Sequence, residues 1–407
     1  MAVHVVKEAQ RCLQCKNPRC KQGCPVSTEI PEMIKLFLEG KSKEAGRELF
    51  KNNPLSVVCS LVCDHDAQCE GNCVQGIKGS PIHWSSIENY ISDAYLDRFA
   101  AEEIEKNHIK TAIIGSGPAG LTIAIILALR GYDVTIFESR DKIGGVLRYG
   151  IPEFRLPKTI LDRYMKKLDM LGVKVRPNTT IGGSINVDTL FRDGYKSVFI
   201  GTGVWRPHAL GLKGESLGNV HYAINYLVNP DVYNLGETVA IIGAGNAAMD
   251  VARTVVRHGA KNVTVYVRRN KCAASEREVE YAIADGVEFR YGMRIEEITE
   301  EGPVFRHMEF DEENKPIPTD DTELCKADST IIAVGQGPKD KIVNTTKGIE
   351  TNEKGLVNIN EEGETTREGV FAAGDVTRGA RTVVEAVKYS KEVADAMDAY
   401  MQGLDKA

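Results

Sequence analysis

The spacing of apolar positions changes near residue 110 of this 407-residue chain. After that point, short apolar runs are followed by glycine turns and then by amphipathic stretches, which is the pattern of strands and helices in an α/β fold. Before it, apolar residues recur at roughly helical spacing in segments 31–38 and 85–99, and we predict a helix over each. A charged segment, 101–110, separates the two parts and is either a helix end or a linker.

These patterns predict an α/β protein in which a helical N-terminal domain precedes two Rossmann-like dinucleotide-binding domains. The helical domain covers residues 1–106. The first dinucleotide-binding domain covers 107–232 and 336–407, and the second, 233–335, is inserted in it.

The first βαβ unit begins with the apolar run 111–114, which leads into the loop Gly115-Ser-Gly-Pro-Ala-Gly120 and a predicted helix to Arg130. In a dinucleotide fold, glycines at these positions allow a tight turn, close approach of the pyrophosphate and close helix–strand packing. A second run, 133–137, ends at Glu138, where a carboxylate would accept hydrogen bonds from the adenosine ribose. We therefore predict a dinucleotide site here; the alternative is that the glycines serve packing alone.

The second βαβ unit departs from the first at two points. Its run 238–242 leads into Gly243-Ala-Gly-Asn-Ala-Ala248 and a helix to His258, so alanine replaces the third glycine. Its second run ends at Arg268, with Arg269 beside it, where the first unit has an acid. Two guanidinium groups at this position fit a ribose that carries a 2′-phosphate, so the loop is predicted to bind NADP(H). The alternative is a solvated pair of charges.

A third motif lies near the C-terminus, where the run 369–373 ends in Gly374-Asp375 and a predicted helix starts at Thr382. This arrangement resembles the second flavin motif of flavoproteins with two dinucleotide sites. The resemblance implies that Asp375 holds a hydroxyl of the ribityl chain and that the helix N-terminus, at Thr382 and Val383, faces the flavin ring. The first loop is therefore predicted to bind FAD.

Eight of the ten cysteines lie in the first 73 residues, in two runs: Cys12, Cys15, Cys20 and Cys24, then Cys59, Cys63, Cys69 and Cys73. The first run ends in Cys-Pro, as iron–sulfur runs do, and eight thiols suffice for two four-cysteine clusters. Structural zinc is an alternative, because Cys-x2-Cys is also a zinc-ligand spacing. Disulfides are a third alternative, disfavoured because Lys7, Glu8 and Gln10 interrupt any signal-like apolar stretch.

Composition changes this picture little. The chain is 42% hydrophobic and 27% charged, with a net charge of -6, which provides no general attraction to nucleic acid or anionic membrane. No apolar run approaches the length of a membrane span. We expect a cytoplasmic protein without nucleic-acid or membrane partners.

The cysteine runs, the segment Gly144-Gly-Val-Leu-Arg-Tyr-Gly-Ile-Pro-Glu-Phe-Arg-Leu-Pro157, both glycine loops and the Gly-Asp motif occur in the same order in the glutamate synthase small-subunit family. The chain resembles that family over nearly its whole length. The same module is found in dihydropyrimidine dehydrogenase and in bifurcating NADH-dependent ferredoxin:NADP oxidoreductases. The implied nucleotide-binding residues are Gly115, Gly117, Pro118, Ala119, Gly120, Glu138, Gly145, Leu147, Gly374, Asp375, Thr382 and Val383 for FAD, and Gly243, Gly245, Asn246, Ala247, Arg268 and Arg269 for NADP(H).

The resemblance implies an electron-transfer oxidoreductase subunit. NADPH and FAD would exchange a hydride, and two [4Fe-4S] clusters would pass single electrons to or from a catalytic or electron-accepting partner in a hetero-oligomer, with ferredoxin as one candidate. The alternatives are a component of a flavin-based bifurcating complex, a dihydropyrimidine dehydrogenase subunit, and a zinc-binding interaction module. No side chain is assigned as a catalytic acid or base, because hydride transfer belongs to the cofactors.

The family also implies a crossed ligand set. One cluster would use Cys12, Cys15, Cys20 and Cys73, and the other Cys24, Cys63, Cys69 and the carboxylate of Glu88, which leaves Cys59 spare. Simple counting would instead use all eight cysteines. Glu88 has its own alternative, an exposed carboxylate on the predicted helix 85–99.

Overall fold

The computed structural model describes residues 4–98 and 104–404. Contacts divide the chain into two compact units. The first comprises the described residues up to 147, 153–204 and those from 338 onward, and the second comprises 148–152 and 205–337. The first unit thus contains both the cysteine-rich head and the sheet that carries the first glycine loop. The domain boundaries drawn from the sequence stay predictions.

The head is helical, as expected from its apolar spacing. Its helices are α1 (Val5–Gln10), α2 (Arg19–Gly23), α3 (Ile30–Leu38), α4 (Ser42–Asn52), α5 (Ser56–Val62) and α6 (Trp84–Arg98), with a 3₁₀ turn at Val74–Ile77. The predicted helices 31–38 and 85–99 match α3 and α6, except that Phe99 lies outside the described residues, as do 101–103 of the charged segment. Segment 104–109 has no regular structure.

The head has its own apolar core. Ile34, Leu49, Trp84 and Ile87 are buried in it, and four of the cysteines pack against it. Those four are Cys12, Cys20, Cys24 and Cys73. The thiols therefore lie between an apolar interior and the surface rather than in water.

The rest of the first unit is a parallel sheet with helices. Its elements are β1 (Lys110–Ile114), α7 (Pro118–Leu129), β2 (Asp133–Phe137), α9 (Lys158–Met170), β3 (Lys174–Arg176), α10 (Val187–Arg192) and β4 (Ser197–Ile200). Helix α8 (Val146–Tyr149) spans the division, with residues 146–147 in the first unit and 148–149 in the second. The strand order is β15-β4-β1-β2-β3, and β15 (Val370–Ala372) comes from the C-terminal segment. The parallel pairing brings the carboxyl ends of β1, β2 and β15 to one edge, where ligands bind in doubly wound folds.

The second unit repeats this architecture. Its elements are β5 (Arg206–Pro207), β6 (Val220–Tyr222), α11 (Ala223–Val228), β7 (Thr238–Ile242), α12 (Asn246–Arg257), β8 (Asn262–Val267), α13 (Glu276–Ala284), β9 (Glu288–Tyr291), β10 (Met293–Thr299), β11 (Gly302–Phe310), β12 (Pro316–Leu324), β13 (Ser329–Ile332) and β14 (Gln336–Gly337), with a 3₁₀ turn at Pro230–Val232. The main sheet has the order β6-β13-β7-β8-β9. An antiparallel sheet, β10-β11-β12, is an addition that the apolar pattern did not predict.

The chain then returns to the first unit through α14 (Lys341–Thr345), β15, α15 (Asp375–Arg378) and α16 (Val383–Leu404). Helix α16 packs along α7. Arg130, which follows α7, forms ion pairs with Asp395 and Asp398 of α16. The last helix is therefore attached to the helix that follows the first glycine loop.

Candidate cofactor sites

The first group of thiols surrounds a small cavity in the head. Cys12, Cys15, Cys20 and Cys73 line this cavity, part of which is open to solvent. Burial raises the pKa of Cys20 to about 11, and the neighbouring thiols Cys73, Cys12 and Cys15 contribute to the increase. Iron would displace protons from such thiols, because thiolates are the ligating form. This arrangement brings together the four cysteines of one implied ligand set, although Cys69 also borders the cavity.

The second group lies between α5 and α6. Burial raises the pKa of Cys69, and the nearby charges of Glu88, Glu70 and Cys24 raise it further. Cys63, at the end of α5, has a raised pKa because its thiol is hydrogen-bonded to Cys59 and buried, with Glu88 and Cys69 close by. The side chains of the second implied ligand set are thus neighbours, and Cys59 adjoins them.

Glu88 is a buried residue, not an exposed helix carboxylate. Only 6% of its surface is accessible, and it lies between Ile87 and Ile91 in the sequence of α6. Burial raises the pKa of Glu88 well above its ordinary value, and the charge of Cys59 adds to this. Burying an ionised carboxylate costs free energy unless it is paired with a cation, so the position of Glu88 suits a metal ligand. The alternative of a solvated Glu88 is wrong, whereas its role as a ligand stays a prediction.

The cysteines of the described residues form neither a disulfide nor a compact site for a single metal ion. Within 4–98 and 104–404, no three histidine, cysteine, aspartate or glutamate side chains are close enough to share a single metal ion. All ten cysteines are free of disulfides.

The first glycine loop connects β1 to α7 with closely packed backbone. A Cβ on Gly120 would lie 2.0 Å from the carbonyl oxygen of Gly115, so this position admits only glycine. Gly117 has Gly145 as its nearest neighbour, and a Cβ on Gly145 would meet the Gly117 Cα at 2.7 Å. The loop backbone therefore carries no side chains at these glycines, as the close approach of a pyrophosphate requires.

Glu138 lies at the carboxyl end of β2, beside this loop. It is buried, and its Oε2 accepts a hydrogen bond of 3.0 Å from the backbone amide of Ser116 and another from the Ser116 hydroxyl. Its Oε1 accepts a hydrogen bond of 2.8 Å from the amide of Arg140. The carboxylate is thus held next to the glycine loop, where the ribose-binding acid was predicted. Ser116 is a residue that the sequence reasoning missed, because a serine inside a glycine loop has no distinctive signal.

The Gly-Asp motif lies against the same loop. Gly374 has φ +78°, and a Cβ there would be 3.1 Å from the Cβ of Ala119. The Oδ1 of Asp375 accepts a hydrogen bond of 3.1 Å from the amide of Arg381, and burial raises the pKa of Asp375 to about 6. Helix α16 starts nearby with a reciprocal cap, in which the Thr382 amide and hydroxyl donate to Glu385 and the Glu385 amide donates to Thr382.

Leu147 completes the predicted flavin residues. It is fully buried, and its carbonyl accepts a hydrogen bond of 2.8 Å from the ammonium group of Lys158. The glycines, Glu138, Asp375 and the start of α16 are therefore brought together around one sheet edge in the first unit. A backbone cradle without side chains, with the Glu138 carboxylate held beside it, fits a dinucleotide. Each residue's contact with FAD stays a prediction.

The second glycine loop, in the second unit, connects β7 to α12. A Cβ on Gly243 would lie 2.4 Å from the carbonyl oxygen of Ala333, whereas a Cβ on Gly245 would meet nothing within 4 Å. Ala248, at the third position, is fully buried in the core. Asn246 and Ala247 are exposed at the start of α12, and the Asn246 side chain accepts a hydrogen bond of 3.0 Å from the amide of Ser275.

Arg268 and Arg269 follow β8 directly and are both exposed. Neither side chain forms a hydrogen bond or an ion pair within the described part of the chain. By contrast, Arg253 and Arg257 on α12 are bound to Asp285 at 2.8 and 2.5 Å. Two unpaired guanidinium groups at the end of the second strand are available to an anionic group such as a 2′-phosphate.

Among the described residues, no helix is long and apolar enough to cross a membrane. Together, the thiol groups, the two glycine loops and the Gly-Asp motif define a class of oxidoreductases with two dinucleotide-binding domains and an iron–sulfur head.

The comparisons with known proteins agree with this class. The family model described as pyridine nucleotide-disulphide oxidoreductase matches residues 109–390, and that described as dihydropyrimidine dehydrogenase domain II, 4Fe-4S cluster, matches 2–99. The chain is 35% identical to the glutamate synthase [NADPH] small chain of Halomonas elongata, over 97% of this chain and 90% of that one. It is 32% identical to the NAD-dependent dihydropyrimidine dehydrogenase subunit PreT of Escherichia coli, over 98% and 94%.

A solved structure shows the same fold at lower identity. FprA of Mycobacterium tuberculosis is similar with a TM-score of 0.61 and 17% identity, over 74% of this chain and 86% of that one. The chain belongs to the glutamate synthase small-chain family. The predicted family, the predicted fold class and the prediction of a NAD(P)H-dependent FAD and iron–sulfur oxidoreductase are confirmed.

Proposed function

We propose that this chain exchanges a hydride between NADPH and FAD and passes single electrons through two [4Fe-4S] clusters to or from a partner subunit. The observation that carries the proposal is that the two thiol groups and the flavin cradle occupy one compact unit. Bound FAD can accept a hydride and release single electrons, and the clusters carry single electrons. The residues of this chain supply binding, orientation and electrostatics.

Two clusters are supported by the distribution of the thiols over two groups, which meet at Cys69. The first surrounds the cavity lined by Cys12 and Cys73, and the second includes Cys24, Cys63 and Cys69 with Glu88. Each group supplies four candidate ligands, the number that a [4Fe-4S] cluster requires. Cys24 belongs to the first cysteine run but lies in the second group, and Cys73 belongs to the second run but lies in the first group. Each bound cluster would therefore link the two runs.

NADPH as the nucleotide is supported by Arg268 and Arg269. The relative named NAD-dependent dihydropyrimidine dehydrogenase subunit PreT and the relative named glutamate synthase [NADPH] small chain match this chain about equally in length. The exposed, unpaired arginine pair favours NADPH over NADH, because only NADPH carries the 2′-phosphate that two guanidinium groups would bind. We therefore favour the glutamate synthase type of electron input.

A partner surface is supported around the first thiol group. Leu13 and Ile77, large apolar side chains close in sequence to Cys12 and Cys73, are 62% and 68% exposed. Lys16, Arg19 and Lys78 are exposed beside them, and no acid occurs between Cys12 and Cys24. In a chain with net charge -6, this basic rim suits an acidic redox partner, such as an acidic catalytic subunit or ferredoxin.

The proposal is tested on protein purified without oxygen. We expect one FAD and about eight irons per chain, flavin absorption that NADPH bleaches, and cluster signals in electron paramagnetic resonance spectra after NADPH is added. NADH should reduce the flavin much more slowly. Zinc without iron after anaerobic reconstitution, or a flavin reduced equally well by NADH, would contradict the proposal.

A further inference from the structure

Helix α16 reaches from the flavin cradle to the cysteine-rich head. Its first residue, Val383, is a predicted flavin contact, and Lys391 lies eight residues further on, about 12 Å along the helix. The half-buried ammonium group of Lys391 donates a hydrogen bond of 2.7 Å to the Oδ1 of Asn52, the last residue of α4. The flavin side of the first unit is thereby joined to the head through a charged group.

The hydrogen bonds of Asn52 have one consistent direction. A lysine can only donate, so the amide oxygen of Asn52 must face Lys391. Its Nδ2 consequently points the other way, and it donates to the carbonyl of Val26 at 3.1 Å and to the hydroxyl oxygen of Thr28 at 3.2 Å. The orientation of the amide is therefore determined by the ammonium group.

Thr28 links the Asn52 amide to the sulfur of Cys24. It is almost fully buried, and its oxygen is 3.5 Å from the sulfur of Cys24. Since the Thr28 oxygen already accepts from Asn52, its own proton is available to donate to a Cys24 thiolate. Every donor in the chain Lys391, Asn52, Thr28 then points toward the sulfur, and such chains of hydrogen bonds strengthen one another.

We propose that Lys391, Asn52 and Thr28 form a hydrogen-bond chain that stabilises negative charge on the Cys24 sulfur and raises the reduction potential of the cluster that Cys24 holds. Hydrogen bonds to the sulfurs and nearby charge are among the factors that set cluster potentials. The three are positioning residues, since none of them is a ligand. The inference rests on the proposed function, because it requires an iron–sulfur cluster at Cys24.

The experiment measures the midpoint potential of each cluster by redox titration followed by electron paramagnetic resonance, on whole protein with verified iron, sulfide and FAD content. We expect Lys391→Gln and Thr28→Val to shift the potential of one cluster to more negative values, while the other shifts less. Lys391→Arg should keep the wild-type midpoint potential, because arginine retains both the positive charge and the hydrogen-bond donors.

Lys388→Gln is the matched control. Lys388 lies three residues earlier on α16, with its ammonium group 5.6 Å from the ring centre of Tyr389, and this variant should keep both potentials. The inference is overturned if both potentials are unchanged in Lys391→Gln and Thr28→Val. If Lys391→Gln loses a cluster, Thr28→Val, a near-isosteric change, decides the question. Wild-type protein without iron would instead overturn the proposed function.

Discussion

Gly374 lies against Ala119, so the Gly-Asp motif near the C-terminus contacts the helix that follows the first glycine loop. A Cβ on Gly374 would be only 3.1 Å from the Cβ of Ala119, and the φ of Gly374 is +78°. A side chain at this position would have to move its neighbour and adopt a positive-φ backbone conformation that is essentially confined to glycine. The two parts of the predicted flavin site therefore depend on a single glycine for their close approach.

Gly374→Ala should weaken flavin binding beyond its general effect on stability. With a ψ of −153°, the backbone of Gly374 lies in a region that is essentially confined to glycine, and a residue with a Cβ costs about 1–3 kcal/mol there. Crowding against Ala119 should in addition open the cradle, so that purified protein retains less FAD. Gly379→Ala is the control, because Gly379 has the same φ of +78° with nothing within 4 Å of its Cβ position. Equal flavin content in the two variants would contradict the close-approach argument.

Asp375→Asn should stabilise flavin-free protein at high pH and weaken flavin binding. Burial raises the pKa of Asp375 to about 6, above its value in an unfolded chain, so the folded state binds this proton more tightly. Stability is then lost as pH rises from about 4 through 6. Asparagine does not titrate, so the variant does not lose this stability. Its free energy of unfolding at pH 8 should therefore exceed that of wild type by up to roughly 3 kcal/mol.

The measurement is urea unfolding of flavin-free protein at pH 5 and pH 8. The advantage of Asp375→Asn over wild type should shrink at pH 5, where the aspartate is largely protonated. An advantage that is the same at both pH values would show that the buried charge is not the cause.

Replacing Arg268 and Arg269 together by serine should reduce the use of NADPH at least roughly tenfold, because hydrogen bonds between charged groups contribute ~1.5–3 kcal/mol. The use of NADH should be unaffected, since it has no 2′-phosphate. Arg268→Lys with Arg269→Lys keeps the charge but loses the forked guanidinium donors, and we expect an intermediate effect. Flavin reduction by each nucleotide in stopped-flow experiments provides the comparison.

Cys59→Ala should retain both clusters, whereas Cys63→Ala should lose about four irons. Both thiols lie close to Glu88 and differ in position by one turn of α5, since the amide of Cys63 donates to the carbonyl of Cys59 at 3.0 Å. Iron and sulfide analysis of anaerobic protein distinguishes the ligand sets. If Cys59→Ala removes about four irons and Glu88→Ala removes none, Cys59 is the ligand in place of Glu88.

Reversing the basic rim, with Lys16→Glu, Arg19→Glu and Lys78→Glu, should slow electron transfer to an acidic ferredoxin at least roughly tenfold at low salt. The difference should diminish as ionic strength rises, because salt screens exposed charges. The control reverses three exposed lysines of α3 and α4: Lys35, Lys43 and Lys51. Equal rates for the two triple variants would exclude this rim as the partner surface.

The sequence by itself determined the local elements around each motif. The runs 111–114 and 238–242 became β1 and β7, and the glycine loops became the turns into α7 and α12, because spacing along the chain decides strands, tight turns and helix starts. It also determined the family, through motifs whose order is specific. It did not predict the antiparallel sheet β10-β11-β12.

Only the tertiary structure decided which distant residues meet. It buried Glu88 at the second thiol group, placed Gly374 against Ala119, and brought Lys391 to Asn52. No local pattern encodes such contacts, because they arise when the sheet order β15-β4-β1 and the packing of α16 bring segments far apart in sequence together. Burial then raises the pKa of Asp375 and of Glu88, since low polarity disfavours an isolated charge.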